Sequence, residues 1–419
     1  QFNAQHTFNS LVCASNRSAA SAMEPGSGTT IMSYAGICPG DNTASNSSPY
    51  FHARSIDQIL SFIESRTCDT EVATGNTAPT VDAGPGGTAY TIPIGTPFAL
   101  TAVGSDVNGD TLTYMWEQFL TGSWSAQGSP FADVGNNPFI RSLPASTNPT
   151  RTFPQIASLR TGATTTAADS LPLTTRTLVF RATVRDNRAG GGGINTDNIA
   201  IATTTAAGPF NITSQNSNTV WGGGTTQTVT WNVANTTASP VNTANVRISF
   251  STDNGVTFPI ELVASTPNDG SQTVTVPNQA VTQGRIKVEA VGNIFFDINN
   301  GLISIPAPPA TPTNPQASPA AICPGGSSTI SVGGPGNPNV IEWYIGGCAS
   351  GGVVGTGLSI NVSPASTTTY FARARNTITN GVSAACAQVT VTVNSAPDAP
   401  TLAQFSPSGS DLVLSAAGG

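Results

Sequence analysis

Short stretches in which apolar and small polar residues alternate recur along most of this 419-residue chain. Because a strand turns every second side chain to the same face, each stretch predicts a β-strand with one buried face. The turns between them are rich in Gly and Pro, which number 43 and 31, and only 9% of the residues are charged. The pattern therefore predicts a mainly β protein built from tandem β-sandwiches.

The length of the chain predicts several modules rather than one core, because domains hold about 100–150 residues. In chain order, the predicted sandwiches span 77–207, 208–306 and 316–395. Residues 121–175 form a long insertion in the first sandwich, and Pro-rich residues 306–315 predict an extended spacer. Residues 396–419 are too few for a core of their own, so we expect them to begin a further module of a longer natural chain.

Each predicted sandwich has its own inward-facing strand positions. In the first they are Leu112, Tyr114, Trp116, Leu178, Phe180, Ala182 and Val184. In the second they are Val229, Trp231, Val233, Val246, Ile248, Phe250, Ile286, Val288 and Ala290. In the third they are Ile341, Trp343, Tyr370, Val389, Val391 and Val393. The sequence Asp253-Asn254-Gly255 predicts a hairpin turn in the second sandwich.

Residues 1–72 differ from the rest, since they hold both histidines and a helical pattern. Apolar residues from Ile56 to Ile63 are spaced as one face of a short amphipathic helix. Ser55 is the expected N-cap, with Gln58 three residues on as in a capping box. The front of the chain therefore predicts a small segment that contains α-helix.

The six cysteines fall into two groups, with Cys13, Cys38 and Cys68 at the front and Cys323, Cys348 and Cys386 near the back. Clustering of this kind predicts disulfides and a secreted, extracellular or cell-surface protein. Each group is odd, so we expect one partner of the front group to lie upstream of Gln1, and one back cysteine to stay free or to pair elsewhere. A zinc knuckle is the alternative, but the chain has no C-x2-C spacing and offers only His6 and His52 as nitrogen ligands.

The net charge of −7 and the single lysine, Lys287, argue against nucleic acid as a partner. No apolar run approaches the roughly 20 residues that span a bilayer. The N-terminus also lacks the basic stretch and apolar core of a signal peptide. We therefore expect neither a membrane span nor a leader in this sequence.

Residues 1–7 resemble the second half of the metzincin signature H-E-x-x-H-x-x-G-x-x-H, in which three His bind zinc and the Glu acts as general base. His6 matches the third zinc ligand. Met32 lies in a sequence similar to the Met-turn beneath that metal, and Tyr34 stands where several metzincin branches place a tyrosine that supports the oxyanion. Taken alone, His6 and Met32 also suit packing roles, and packing is the expected role of His52.

Residues 24–30, 35–38, 176–187 and 292–298 are similar to segments of secreted Bacteroidetes-type reprolysin-like zinc metallopeptidases that carry β-sandwich tails. The resemblance implies the C-terminal portion of such a peptidase, with zinc as cofactor and proteins or peptides as substrates. It also implies a PKD/cadherin-like first sandwich and two Ig-like sandwiches, the last of a secretion-associated type.

The chain departs from this family in two ways. Asn3 replaces the family's Gly, although Asn tolerates left-handed backbone better than other residues with side chains. The catalytic Glu and two zinc-ligand His are absent, and a catalytic zinc needs three protein ligands. This chain as given is therefore not expected to hydrolyse peptides.

Asp106, Asn108 and Asp110 place three oxygen-bearing side chains at alternate positions of one loop, a pattern that suits Ca²⁺. The loop resembles those of cadherin-like and polycystic-kidney-disease-type modules. An Asn-Gly hairpin turn with exposed carboxylates is the alternative. Asp186 with the Gly run at 190–193 suggests either a second oxygen site or a flexible loop.

These observations leave two functional hypotheses. The first is part of a secreted zinc metallopeptidase whose β modules serve surface attachment, spacing or secretion. The alternative is a non-enzymatic structural or adhesive stalk or fibre subunit that contacts a cell surface or matrix and self-assembles through strand edges. Carbohydrate binding on a sandwich face forms a third class, for which the sequence places no aromatic cluster.

Overall fold

Strands dominate the part of the chain that the structure, a computed structural model, describes, namely residues 4–68, 70, 72–86, 88–162 and 169–395. The predictions for residues 1–3 and 396–419 lie outside these described residues. Within them the chain forms two compact units. One unit takes in 4–219, 227–274 and 282–304, and the other takes in 220–226, 275–281 and 305–395.

The front segment, residues 4–68, contains a 3₁₀ turn at Ala14–Asn16 and helix α1 at Ala53–Glu64. The predicted helix is confirmed, but its cap is different. His52 is the N-cap, and its side chain accepts a hydrogen bond from Arg54 N. Gln58 does not close a capping box, since its side-chain oxygen accepts from Gln5 N.

The first sandwich contains β1 (Thr80–Asp82), β2 (Thr88–Pro93), β3 (Phe98–Thr101), β4 (Val103–Ser105), β5 (Thr113–Gln118), β6 (Thr150–Phe153), β7 (Arg176–Arg185) and β8 (Ile194–Thr204). The main sheet has the order β2-β8-β7-β5, β3 pairs with β6, and β1 pairs with β4. Strand β2 runs parallel to β8, whereas the other pairs are antiparallel. A buried aromatic cluster of Phe98, Phe153 and Phe180 lies at its centre.

Part of the predicted insertion belongs to this sandwich. Residues 150–153 are strand β6, which pairs in register with β3, and a helical turn α2 follows at Ile156–Leu159. The Ser- and Pro-rich composition around β6 hides it, because so short a strand gives little alternation to read.

Strand β5 departs from simple alternation. Trp116 is buried as predicted, but Met115, Glu117 and Gln118 on the same strand are buried too, with Glu117 at 0% exposure. Both faces of β5 are covered, because the sandwich interior packs on one face and the front segment on the other. Glu117 is therefore charged and yet faces the front segment instead of solvent.

The second sandwich contains β9 (Asn211–Ile212), β10 (Thr219–Val220), β11 (Thr226–Asn232), β12 (Asn245–Ser251), β13 (Ile260–Pro267), β14 (Ser271–Thr275), β15 (Val281–Ala290), β16 (Phe296–Ile298) and β17 (Ile303–Ile305). One sheet has the order β10-β17-β15-β12-β13 with β16 added to β15, and the other has the order β14-β11-β9. Eight of its predicted inward positions are buried, and Val233 is half-buried. The predicted turn joins β12 to β13, with Asn254 and Gly255 at φ values of 63° and 77°.

The third sandwich contains β18 (Thr313–Ser318), β19 (Ala321–Ile322), β20 (Ser328–Gly333), β21 (Asn339–Ile345), β22 (Val353–Thr356), β23 (Ser359–Val362), β24 (Thr368–Asn376) and β25 (Ala387–Val393). Its sheets have the orders β18-β20-β23 and β19-β25-β24-β21-β22. The core holds Trp343, whose ring nitrogen donates to Gly357 O, together with Ile341, Tyr370 and Val391. Strand β18 begins inside the predicted spacer, so that spacer is shorter than the composition indicates.

The first and second sandwiches are joined by backbone hydrogen bonds inside one compact unit. Ala99 N donates to Ile294 O at 3.1 Å, and Phe296 N donates to Pro97 O at 2.9 Å. Phe98 and Phe295 form a β-bridge between them. Within the described residues, no helix has the length and apolar character needed to cross a membrane.

Asp297, on β16, gives the second sandwich a predicted pH dependence. The residue as a whole is half-buried, but its carboxyl group is enclosed and accepts a hydrogen bond from Ile212 N at 2.7 Å. Burial raises the pKa of Asp297 to about 7, although backbone hydrogen bonds from Ile212 and Ile298 act in the opposite direction. The folded protein therefore holds a proton between about pH 4 and pH 7 that the unfolded chain releases.

We expect Asp297→Asn, which keeps an uncharged acceptor, to be more stable than the parent above pH 7 by about 2–4 kcal/mol. The two proteins should converge below about pH 4, where the unfolded chain is protonated as well. Urea unfolding from pH 4 to pH 8 measures both, with Asp269→Asn on an exposed loop as control. A constant difference across this range would show that Asp297 does not carry the proton.

Candidate functional site

The structure brings together the three front residues singled out in the sequence. The His6 and Tyr34 rings lie 4.9 Å apart, and the Tyr34 ring stacks on Phe8 with centroids 4.5 Å apart. Thr7 N donates to Met32 O at 3.0 Å, which places the Met32 turn directly against the segment that carries His6. The ring nitrogen Nδ1 of His6 bonds Asn16 O at 2.6 Å.

A buried carboxylate organises this arrangement. Glu24 is 1% exposed and accepts hydrogen bonds from the hydroxyls of Thr7, Thr29 and Thr30 and from the backbone N–H groups of Thr29 and Thr30. Five donors offset the cost of burying the charge. Gly28 allows this close approach, because at its φ of +67° a Cβ would lie 2.6 Å from Ser33 Cβ. Glu24 thereby ties the segment that carries His6 to the Met32 turn.

Each cysteine group forms one disulfide. Cys13 pairs with Cys38 and Cys348 pairs with Cys386, while Cys68 and Cys323 are free and exposed. All six cysteines lie within the described residues, and each group leaves one of them unpaired within this chain. Closing loops of this length stabilises a small domain by about 3–4 kcal/mol.

The front segment is clamped on the first sandwich through Glu117. Its carboxylate accepts from Ala53 N at 2.8 Å and from Ser142 Oγ at 2.5 Å. His52 Nε2 lies 3.8 Å from the same carboxylate. Since His52 Nδ1 accepts from a backbone N–H, the proton of the neutral ring lies on Nε2, the side that faces Glu117. His52 therefore has a packing and capping role.

The insertion of the first sandwich covers the rest of the front segment. Arg17 stacks over Trp124 at 4.1 Å and donates to Gly122 O at 2.8 Å. Asp41 accepts from Gly128 N at 2.8 Å, again across to the insertion. These contacts are charge-assisted and partly buried, and the front segment and the first sandwich belong to one compact unit.

A second candidate site lies on the loops of the first sandwich. Carboxylate oxygens of Asp106, Asp110 and Asp186 lie within 4.8 Å of one another. Asn108, the middle member of the sequence pattern, accepts a hydrogen bond from Thr77 N through its side-chain oxygen at 2.9 Å. The Gly run at 190–193 folds back, and Gly193 N donates to Asp186. Two residues of the sequence pattern, Asp106 and Asp110, thus belong to the carboxylate cluster, and Asp186 from a loop distant in sequence is the third.

Three oxygen atoms in this region are enclosed and accept no hydrogen bond from the described residues: Asn76 Oδ1, Asp106 Oδ2 and Asp110 Oδ2. Arg188 offers a weak counter-charge, 3.6 Å from Asp110. The hydrogen bond from Asn76 Nδ2 lowers the pKa of Asp186, so this carboxylate is charged at neutral pH.

Residues 309–395 match the family described as "Ig-like domain CHU_C associated". No curated protein matches the chain. Among solved structures, the FN1–FN3 domains of chicken CNTN1 are 12% identical, cover 76% of this chain and 99% of that one, and have a TM-score of 0.23. The Clostridium thermocellum CbhA fibronectin(III)-like modules are 13% identical, cover 45% and 95%, and have a TM-score of 0.21. Likenesses this distant carry no argument about the chain.

Sequence reasoning missed Glu24, Glu117 and Asn76. Glu117 falls on the strand face that alternation assigns to solvent, and nothing local tells that a helix N-terminus 64 positions earlier covers it. Glu24 lies in a stretch rich in Thr and Gly, whose donors surround it once the segment folds. The only sequence sign of this buried carboxylate is that a single acidic residue is surrounded by residues with hydroxyl groups.

We expect Glu117→Ala to destabilise the protein by about 2–4 kcal/mol, because it leaves Ala53 N and Ser142 Oγ buried without an acceptor. Glu117→Gln keeps one acceptor and should cost less. Hydrogen exchange at the Ala53 amide should accelerate in Glu117→Ala and remain slow in Glu64→Ala, an exposed change on the same helix. Unchanged exchange in Glu117→Ala would contradict the clamp.

Proposed function

We propose that this chain belongs to an extracellular multi-module protein in which the first sandwich holds the front segment in a fixed position and the Ig-like sandwiches act as spacers. The Glu117 clamp carries the proposal, because a buried carboxylate shared between two segments does not tolerate sliding. The disulfides and the Ig-like match support an extracellular setting.

The front segment is further proposed to be the closing part of a zinc peptidase domain. In support, His6 Nδ1 bonds a backbone carbonyl, which fixes the ring and leaves Nε2 as the nitrogen that carries a lone pair. This is the arrangement of histidines that bind zinc, so His6 fits a ligand role. Zinc would activate a water for attack on a peptide bond.

His6 is one ligand, and a catalytic zinc needs three, so the remaining ligands and the general base would have to come from sequence outside this chain. The residues around His6 would fix the position of this ligand. Glu24 holds the His6 segment and the Met32 turn together, and the Tyr34 ring lies beside His6, where its hydroxyl suits support of an oxyanion on a bound peptide.

A structural or adhesive stalk is the second candidate, favoured by the family match and by the succession of sandwiches. Strand β22 ends its sheet, and its Val353 and Val354 are about half exposed. Such an edge is open to pairing with a strand of another subunit. In this case the front segment would have no catalytic partner.

The natural-length protein separates the two candidates. If the peptidase assignment is right, it should contain zinc by elemental analysis and cleave casein, and His6→Ala should lower both at least about tenfold. Ile37→Ala, a neighbouring exposed change, should leave both unaltered. A natural-length protein without zinc and without H-E-x-x-H ahead of residue 1 would make the peptidase assignment wrong and favour the stalk.

We also propose that Asp106, Asp110 and Asp186 bind Ca²⁺. Three carboxylates this close repel one another unless a cation lies between them, and Ca²⁺ takes oxygen ligands at about 2.3–2.6 Å. The enclosed, unpaired oxygens of Asn76, Asp106 and Asp110 support the assignment. Since Asn76 belongs to the segment between α1 and β1, an ion here would fasten that segment to the sandwich.

Addition of about 1 mM CaCl₂, in the affinity range of extracellular modules, should raise the melting temperature by several degrees, and MgCl₂ should act more weakly. Asp186→Asn should abolish the shift. Asp82→Asn, an exposed carboxylate of the same sandwich, should retain it. If Arg188 rather than Ca²⁺ neutralises the cluster, the parent protein will show no shift and Arg188→Gln will be destabilised.

A further inference from the structure

A cleft of about 560 Å³ lies between the first and second sandwiches, within one compact unit. Its floor is the outer face of strands β12 and β15, and its opposite wall is β6 with α2. An outward sheet face of this kind would ordinarily meet solvent, but the neighbouring sandwich encloses it here. Clefts between modules are frequent places for small-ligand sites.

The two sandwiches that form the cleft are joined directly next to it. The backbone hydrogen bonds from Ala99 N to Ile294 O and from Phe296 N to Pro97 O join the two sandwiches beside it. A buried cluster of Leu159, Phe296 and Ile298 fills the space beneath. A ligand would therefore meet a preformed site and would not have to order it.

The charges on the floor are unequal. Lys287, the sole lysine of the chain, lies 2.5 Å from Glu289, and Arg247 lies 2.5 Å from the same carboxylate. Two cations thus share one anion, and an additional carboxylate could bind both of them. Glu261 on the neighbouring strand β13 also lines the cleft, and both Glu261 and Arg247 are exposed, so water screens these two charges alike.

Aromatic rings flank these cations. Lys287 Nζ lies 4.9 Å from the centre of the Phe296 ring and 5.7 Å from that of Phe258. Phe258 is half-buried and presents an apolar surface to the cleft, while Thr152 on the facing wall supplies a hydroxyl. Cations, an apolar ring and a hydroxyl thus converge within one small volume.

We infer that this cleft binds a sugar that carries a carboxylate, as in a uronate-containing oligosaccharide. The carboxylate would bind Lys287 and Arg247, the C–H face of the ring would pack on Phe258, and the sugar hydroxyls would bond Thr152. An ordinary peptide offers one terminal carboxylate and no row of hydroxyls, so it matches this combination less well. The inference is independent of the zinc and calcium proposals.

Titration calorimetry of the full chain with hexagalacturonate should show saturable binding, with a Kd of about 0.1 mM that weakens as salt rises. Maltohexaose, which is neutral, should not bind. Lys287→Gln and Phe258→Ala should each lower the affinity at least tenfold, and Lys287→Arg should keep most of it. Circular dichroism and melting temperature establish that each variant is folded.

Arg66→Gln removes the same charge at an exposed position after α1 and is the matched control. Equal weakening by Lys287→Gln and Arg66→Gln would mean general attraction between the protein and a polyanion, and would overturn the inference. Absence of saturable binding to hexagalacturonate in the parent chain would overturn it as well.

Discussion

The buried carboxylate of Glu117 is the interaction on which the front half of the molecule depends. A carboxylate at 0% exposure costs several kcal/mol unless donors surround it, and here a helix N-terminus and Ser142 supply them. The donors come from α1 and the insertion and the acceptor from β5, so one buried carboxylate joins three segments that are distant in sequence. The front segment is consequently part of the same body as the first sandwich.

Buried carboxylates also replace a large apolar core in the front segment. Glu24 gathers five hydrogen-bond donors, and Asp41 accepts from Ser10 and from Gly128 across to the insertion. Networks of this kind are rigid when every member is satisfied, since any displacement leaves a buried charge unpaired. This rigidity is what would hold His6 at a fixed place relative to a partner group.

Features that depend on neighbouring residues were predictable from the sequence, whereas features that depend on residues far apart in the chain were not. Strand positions such as Phe180, Ile248 and Trp343 were predictable, because alternation is a local consequence of the pleat. The cap of α1 was not, since Ser55 has the better intrinsic propensity but His52 lies where the chain meets Glu117. Asp106 and Asp110 belong to one loop, whereas Asp186 comes near them only through the pairing of β5 with β7.

The amino-acid sequence by itself determined the β-sandwich class, the grouping of the cysteines and the short front helix, because each follows from spacing along the chain. Tertiary structure decided which cysteines pair, what covers the second face of β5, and which carboxylates lie close together. The alternation of apolar and polar residues indicates that a strand has two different faces, but it does not indicate which segments will cover each face. That choice depends on segments far apart in sequence, whose donors and charges meet only after the sandwich has formed.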